Sequence, residues 1–328
     1  MVIIDVMRGK TRIPVTETVQ MAGRAGRRNT GKDAHVDVFA PEEDLYILQD
    51  DLLTIDKHKV FSGFSDYSVL AFHVLPEICA GRVKNVVGAE SWHKRSFHSF
   101  QGDKVDFSFV FGLLHELEAV VWDKERVIAT ALGDISSSLF YDPADIFAWK
   151  ENFDLVFRLG IENEDMTAVW ALANTPNQSN VSVPVSCWEL SEEASNEISS
   201  CGLYCSTENM GYLLAWWRLM GGPSISGLRG VVESLRHDYG RLNTALRLID
   251  AKYAKWDMQD FFDRLKLRVD YGVGNELIPL VKLPGIGKSY ARQLYNEGVE
   301  DLQSLLERKH EITCSKKLQG IIETLENE

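Results

Sequence analysis

Three stretches of this 328-residue chain carry residue types whose spacing suits the handling of phosphate. In QMAGRAGR, residues 20–27, Gln20 and Gly23 precede Arg24 and Arg27, and the two arginines stand on one side of a helical turn. Glycines between them permit close backbone approach to another surface. A planar guanidinium is the natural group for stabilising charge on a transferring γ-phosphoryl, and equally a unit of a basic patch for nucleic acid. Residue types alone do not separate the two.

The second stretch is LPGIGKS, residues 283–289. A Walker A loop needs a glycine five positions before Gly287, and Lys282 stands there. The pattern fits a helix-hairpin-helix instead: Pro284, then Gly285 and Gly287 flanking Ile286, with a new helix from Lys288. Paired glycines let backbone N–H groups turn outward at a helix N-terminus, where the dipole favours an anion, and Lys288 and Arg292 add charge one turn apart. Such a hairpin grips a DNA phosphate without reading bases; the bland alternative is a tight helix–helix turn.

The third is the helix predicted over 228–250. Leu228, Val231, Val232, Leu235, Tyr239, Leu242, Leu246 and Ile249 form its apolar face. Arg229, Arg236, Gly240, Asn243 and Arg247 line the opposite one, with His237 on the flank. A basic line of this kind tracks a single-stranded backbone, or is simply a solvated face.

The elements that must position these groups give a mainly α, multidomain fold. Residues 2–6 and 36–40 read as strands around a helix beginning near Thr16, an α/β pattern too short for a domain of its own. Residues 46–130 alternate helices and end in a hairpin, VVWD then RVIAT, which suggests a winged helix; nucleic-acid binding and domain packing both remain open for it. Residues 131–274 have helical period, broken at 175–186 and 221–227, and form a bundle with the Trp216–Trp217 helix in its core. Residues 275–328 make the C-terminal hairpin module.

The net charge of −13 excludes a uniformly basic coat but not a local basic groove. No apolar run approaches membrane-spanning length and the start does not read as a secretory signal, so the expectation is a cytoplasmic protein without a membrane partner. Five scattered cysteines give no disulfide framework. Cys201 and Cys205 lack a second pair at zinc spacing and read as half-buried thiols, so no metal site is expected.

QMAGRAGR resembles motif VI of superfamily-2 helicases in its Ski-two-like form, and VIID and RIPVTE resemble the segment before it. The module order, together with LGDISSSLFYDP at 132–143, resembles the archaeal DNA repair helicases of the Hjm type. The resemblance implies that residues 1–45 are the C-terminal remnant of a second RecA-like lobe. It also implies that Gln20, Gly23, Arg24 and Arg27 face ATP and Mg²⁺ held mainly by a first lobe, with Arg27 and Arg24 catalytic. The helix over 228–250 becomes the ratchet of a 3′ to 5′ enzyme acting on single-stranded or forked DNA, its contacts being Arg229, Arg236, His237, Asn243 and Arg247, joined by Gly285, Gly287, Lys288 and Arg292 of the hairpin. This sequence departs from the family in offering no tryptophan two turns after Arg229 or Gly230, and in having no Walker A, DExH or motif V segment. The chain is therefore expected to be silent alone and to need a P-loop-bearing motor lobe or subunit. A non-enzymatic nucleic-acid-binding adaptor is the alternative, and RNA the alternative strand.

Overall fold

The computed structural model describes residues 2–3, 7–8, 11–25, 35–54, 60–102, 104–160, 164–312 and 316–326. The chain is mainly helical and divides into two compact units, 1–63 and 64–328.

In the first unit, strand β1 (Val2–Ile3) is followed by an antiparallel pair, β2 (Met7–Arg8) with β3 (Thr11–Arg12), and by helix α1 (Val15–Ala22). Strand β4 (Asp37–Val38) then pairs in parallel with β1, Val2 opposite Asp37 and Ile3 opposite Val38. A parallel pair requires a crossover, and α1 lies within it. Val15 and Thr18 are the buried face of α1. Helix α2 (Glu42–Leu53) opens with Glu42, Glu43 and Asp44, acids that suit the positive end of its dipole, and Arg12 donates to the Asp44 carbonyl. The sequence-derived boundary between 45 and 46 falls inside α2.

The second unit contains three apolar cores. The first lies among α3 (Tyr67–Cys79), α4 (Val86–His93), α5 (Phe97–Phe100), α6 (Phe107–Glu116) and the antiparallel hairpin of β5 (Val120–Asp123) and β6 (Arg126–Ala129). Asp66, Asn85, Ser96 and Asp106 start the four helices, each side chain accepting a bond from a first-turn N–H. The expected strand positions at VVWD and RVIAT are those observed. Arg126 is the hairpin's single basic strand residue, and α6 carries no Lys or Arg.

The second core belongs to α7 (Ala131–Leu139), α8 (Pro143–Leu159), α9 (Glu164–Ala173), α10 (Trp188–Ser200), α11 (Met210–Leu219), α12 (Arg229–Ile249) and α13 (Gln259–Tyr271). Trp216 of α11 is fully buried, with its indole N–H on Gln178 Oε1, so the Trp-rich stretch is a core helix as its pattern predicts. Helix α12 continues into a wider turn, Asp250–Ala254, fixed by the buried Asp250 carboxylate, which accepts from the N–H groups of Asp257 and Met258 and from Gln259 Nε2. Burial pushes the Cys205 thiol up to about 11, which keeps it protonated and a poor metal ligand.

The third core is small and C-terminal, formed by α14 (Ile278–Val281), α15 (Lys288–Asn296), α16 (Leu302–Glu307) and α17 (Lys316–Glu326) around Ile286, Ala291, Leu294, Leu305 and Leu318. Among the described residues no helix is long and apolar enough to cross a membrane.

Candidate nucleic-acid interface

The arginines of the first stretch sit at the end of α1. Gln20, Gly23 and Arg24 are exposed, and Gly23 caps the helix with an ordinary right-handed backbone, φ −62°. Its Cβ would have room, so neither conformation nor packing within the described residues demands a glycine there. The Arg24 side chain has no hydrogen-bond or ion-pair partner among the described residues, and its backbone N–H donates to the Met21 carbonyl. Arg27 and Gly26 lie outside them. A bare guanidinium fits a phosphate oxygen. Among the described residues no group of three or more His, Cys, Asp or Glu is placed to hold a metal ion.

The long helix α12 has the amphipathic form its spacing predicts, but not every residue stands on the expected face. Leu228, Tyr239, Leu242, Leu246 and Ile249 are buried; Val231, Val232 and Leu235 are only partly so, because the first turns of the helix run along the edge of the bundle. Arg229, Arg236, His237 and Gly240 are exposed. Asn243 is a correction: it is 4% exposed, with Oδ1 accepting from the Tyr239 hydroxyl at 3.4 Å, because α13 packs along that flank. Arg247 is occupied as well, bonded to Asp263 at 2.8 Å and to Gln259 Oε1 at 2.9 Å, both from the α13 start. The usable basic line is therefore the N-terminal half of the helix.

The opposite flank of α12 is held rather than offered. Arg241 lies over the Tyr141 ring, 4.1 Å from its centroid, and donates to Asp238 and to the carbonyls of Leu139 and Phe140. The Tyr141 hydroxyl donates to Asp238 at 2.6 Å. This network ties α12 to the end of α7 and leaves none of its charge for a ligand.

The hairpin glycines have different causes. Gly285 has φ +80° and its Cβ would press within 3.2 Å of Ile321 on α17, so the fold itself requires glycine. Gly287 is extended, φ −94°, and a Cβ there would meet nothing within 4 Å. It caps α15 with no side-chain bond, leaving a bare helix N-terminus open to an anion.

Lys288 departs from the expectation that it extends from the hairpin. Its side chain is partly buried and donates to the carbonyl of Gly272, the left-handed C-cap of α13. A Cβ on Gly272 would lie 3.3 Å from Lys288 Nζ and 3.6 Å from Arg236 Nη2, so the two cationic heads converge on this glycine from the hairpin and from α12. Burial, then Arg218, Arg292 and Arg236, hold the Lys288 ammonium below the usual lysine range. Every charge named there is positive. Arg236 and Arg292 have no carboxylate partner among the described residues, and Arg218 donates only to the Gly222 carbonyl.

Below this cluster lies a contrasting cation. Arg268, 2% exposed, pairs with Asp165 at 2.7 Å and donates to the Met220 carbonyl at 2.9 Å and weakly to that of Val273. Its charge is spent inside the protein, tying the Val273 carbonyl beside Gly272 to that of Met220 at the end of α11.

Sequence reasoning found Arg236, Lys288 and Arg292 but not Arg218. Its place in the last turn of α11, before Gly221 and Gly222, marks a helix end near solvent; that this end faces α15 is set by tertiary contact across some seventy residues.

No family model matches the sequence. Curated relatives do. The ATP-dependent DNA helicase Hel308 of Thermococcus kodakarensis is 28% identical over 333 residues, covering 92% of this chain and 29% of the relative. The Hel308 helicases of Pyrococcus abyssi and Thermoplasma volcanium are 24% and 23% identical, covering 92% and 97% of this chain and 45% and 47% of theirs. The chain thus spans less than half the length of these relatives, and it resembles their C-terminal part.

Proposed function

We propose that this chain, similar over nearly its whole length to the C-terminal part of archaeal ATP-dependent DNA helicases, supplies the strand-holding portion of such an enzyme and arginines that complete its ATP site. The observation that carries the reading is the convergence of Arg218, Arg236, Lys288 and Arg292, drawn from three helices with no carboxylate to offset them. Cations gathered in this way repel one another unless an anion lies between them, and a phosphodiester backbone supplies one at regular spacing. Arg229 and His237 extend the line along the exposed half of α12, and the bare N-terminus at Gly287 adds backbone donors. Bases pass unread, as suits an enzyme that moves along any sequence.

The motor chemistry divides between this chain and another part. ATP, when bound, supplies phosphoryl transfer, and Mg²⁺ would take its ligands from the P-loop-bearing lobe. Arg24, exposed after α1, and Arg27, three residues on, would be offered to the γ-phosphate from the opposite side. The exposed parts of 64–328 then hold the unwound 3′ strand of a fork.

Two measurements test the reading. Anisotropy of labelled oligothymidine should show binding that weakens steeply between low and moderate salt, and Arg236→Ala with Arg292→Ala should remove most of it. Mixed with a P-loop-bearing motor lobe, the chain should restore DNA-stimulated ATP hydrolysis, and Arg24→Ala should abolish that restoration while sparing strand binding. Salt-independent binding would overturn the strand site; failure to restore hydrolysis would leave a nucleic-acid adaptor without a share in the motor, and restoration untouched by Arg24→Ala with Arg27→Ala would remove these arginines from the ATP site.

A further inference from the structure

A groove of about 600 Å³ in the second unit differs from these cations in character. One wall is α10, presenting Trp188, Ser191, Glu192 and Ser195; the other is the segment 180–183 with Thr207 and Glu208. Between Arg158 and Arg218 the sequence contains no Lys, Arg or His. Glu189, Glu192, Glu193 and Glu208 are exposed there, and the carboxylates of Glu192 and Glu208 have no ion-pair partner among the described residues. In a protein that binds a polyanion, this face repels the strand.

Two features make the groove a built site. Trp188 is 59% exposed at its rim, an indole face of the kind that attracts a guanidinium or ammonium. The facing edge is the segment 181–183, where the N–H of the exposed Ser182 makes no backbone hydrogen bond among the described residues and is available to a peptide carbonyl. That edge is rigid. Asn180 N–H donates to the Glu208 carbonyl, Asn209 Nδ2 donates to the carbonyls of Ala173, Thr175 and Gln178, and Gly211 is a glycine because a Cβ would run into the Val181 carbonyl.

We infer that this groove docks an arginine- or lysine-bearing segment of a partner protein, a backbone carbonyl of that segment accepting from the Ser182 N–H, one basic side chain over Trp188 and its charge between Glu192 and Glu208. Charge complementarity selects the occupant: an acidic or nucleic-acid ligand would meet unpaired carboxylates on both walls.

The test uses a fluorescein-labelled eight-residue peptide of alternating arginine and valine, with a glutamate–valine peptide as its opposite, titrated into the full chain. The arginine peptide should bind and quench tryptophan fluorescence. Trp188→Ala, and Glu192→Gln with Glu208→Gln, should each weaken it about tenfold or more, while Glu116→Gln with Glu125→Gln, an equal charge change elsewhere, should not. All five positions are exposed, so thermal melts should stay at the wild-type value. Three results would overturn the proposal: equal loss in the Glu116–Glu125 control, no loss at Trp188, or self-association of the chain that disappears in Trp188→Ala, which would make a second copy the occupant. Oligothymidine affinity measured on the same groove variants should be unchanged, so failure here is separable from failure of the strand site.

Discussion

Helix α11 joins two surfaces of opposite sign. Met210, in its first turn, lines the groove of Trp188, Glu192 and Glu208; Arg218, in its last, joins Arg236, Lys288 and Arg292, about 12 Å further along at 1.5 Å per residue. Both surfaces hold charges the fold does not neutralise, whereas Arg268 between them is matched by Asp165 and two carbonyls. The difference separates charge that builds the protein from charge kept for a partner. A net charge of −13 conceals this division, since each ligand senses only what lies within about 10 Å at ordinary ionic strength.

The largest effect should come from breaking the matched cation. Arg268→Leu strands the Asp165 carboxylate and leaves the Met220 and Val273 carbonyls without a donor; a loss of about 3 kcal/mol is expected in denaturant unfolding, at the lower end for a broken pair because Asp165 is half exposed. Hydrogen exchange should rise around Gly272 and leave α10 as protected as in the wild type, which would show that Arg268 serves the cationic end alone. Next comes removal of unmatched cations. Arg236→Ala with Arg292→Ala should cost about a hundredfold in oligothymidine affinity, at roughly 1.5 kcal/mol for each charge-assisted bond, with no loss of melting temperature and no change in peptide binding at the groove. Loss of both ligands together would erase the contrast between the two ends.

Lys288 sharpens the comparison through pH. Its folded pKa lies below the free value of 10.5, because burial and three arginines penalise its charge; a phosphate relieves that penalty, so binding the strand takes up a proton where the site has lost one. Strand affinity should therefore fall as pH rises through the lowered Lys288 pKa, before ordinary lysines titrate. Lys288→Arg should flatten this fall, an outcome read from anisotropy at a series of alkaline pH values. The smallest effect is expected at the hairpin. Gly287→Ala, with open space for its Cβ, should weaken strand binding a few-fold and leave the melt nearly unchanged, whereas Gly285→Ala should destabilise the third core, since it forces a side chain into a left-handed backbone against Ile321.

Much of this was legible in the chain's spacing. The apolar stripe of α12, the buried Trp216 helix, the hairpin at 120–129 and the break at Gly285 follow from local rules of periodicity, capping and turn chemistry. The faces of α12 were read less well. Asn243 and Arg247 share a projection with Arg229 and Arg236, yet α13 covers the C-terminal half of that flank, burying the asparagine and engaging the arginine. Helical projection gives direction around an axis and says nothing of which neighbour arrives there. Arg218 was missed for the same reason.

The sequence by itself determined the apolar stripe of α12, the buried Trp216 helix, the strands at 120–129 and the turn at Gly285, because these depend on residues a few positions apart. Only the tertiary structure decided which cations stand together unneutralised, that Lys288 turns back onto Gly272, and that an acidic groove with an exposed tryptophan lies at the other end of α11. Charge becomes a site through its neighbours in space, and those neighbours come from helices whose separation along the chain no local pattern records.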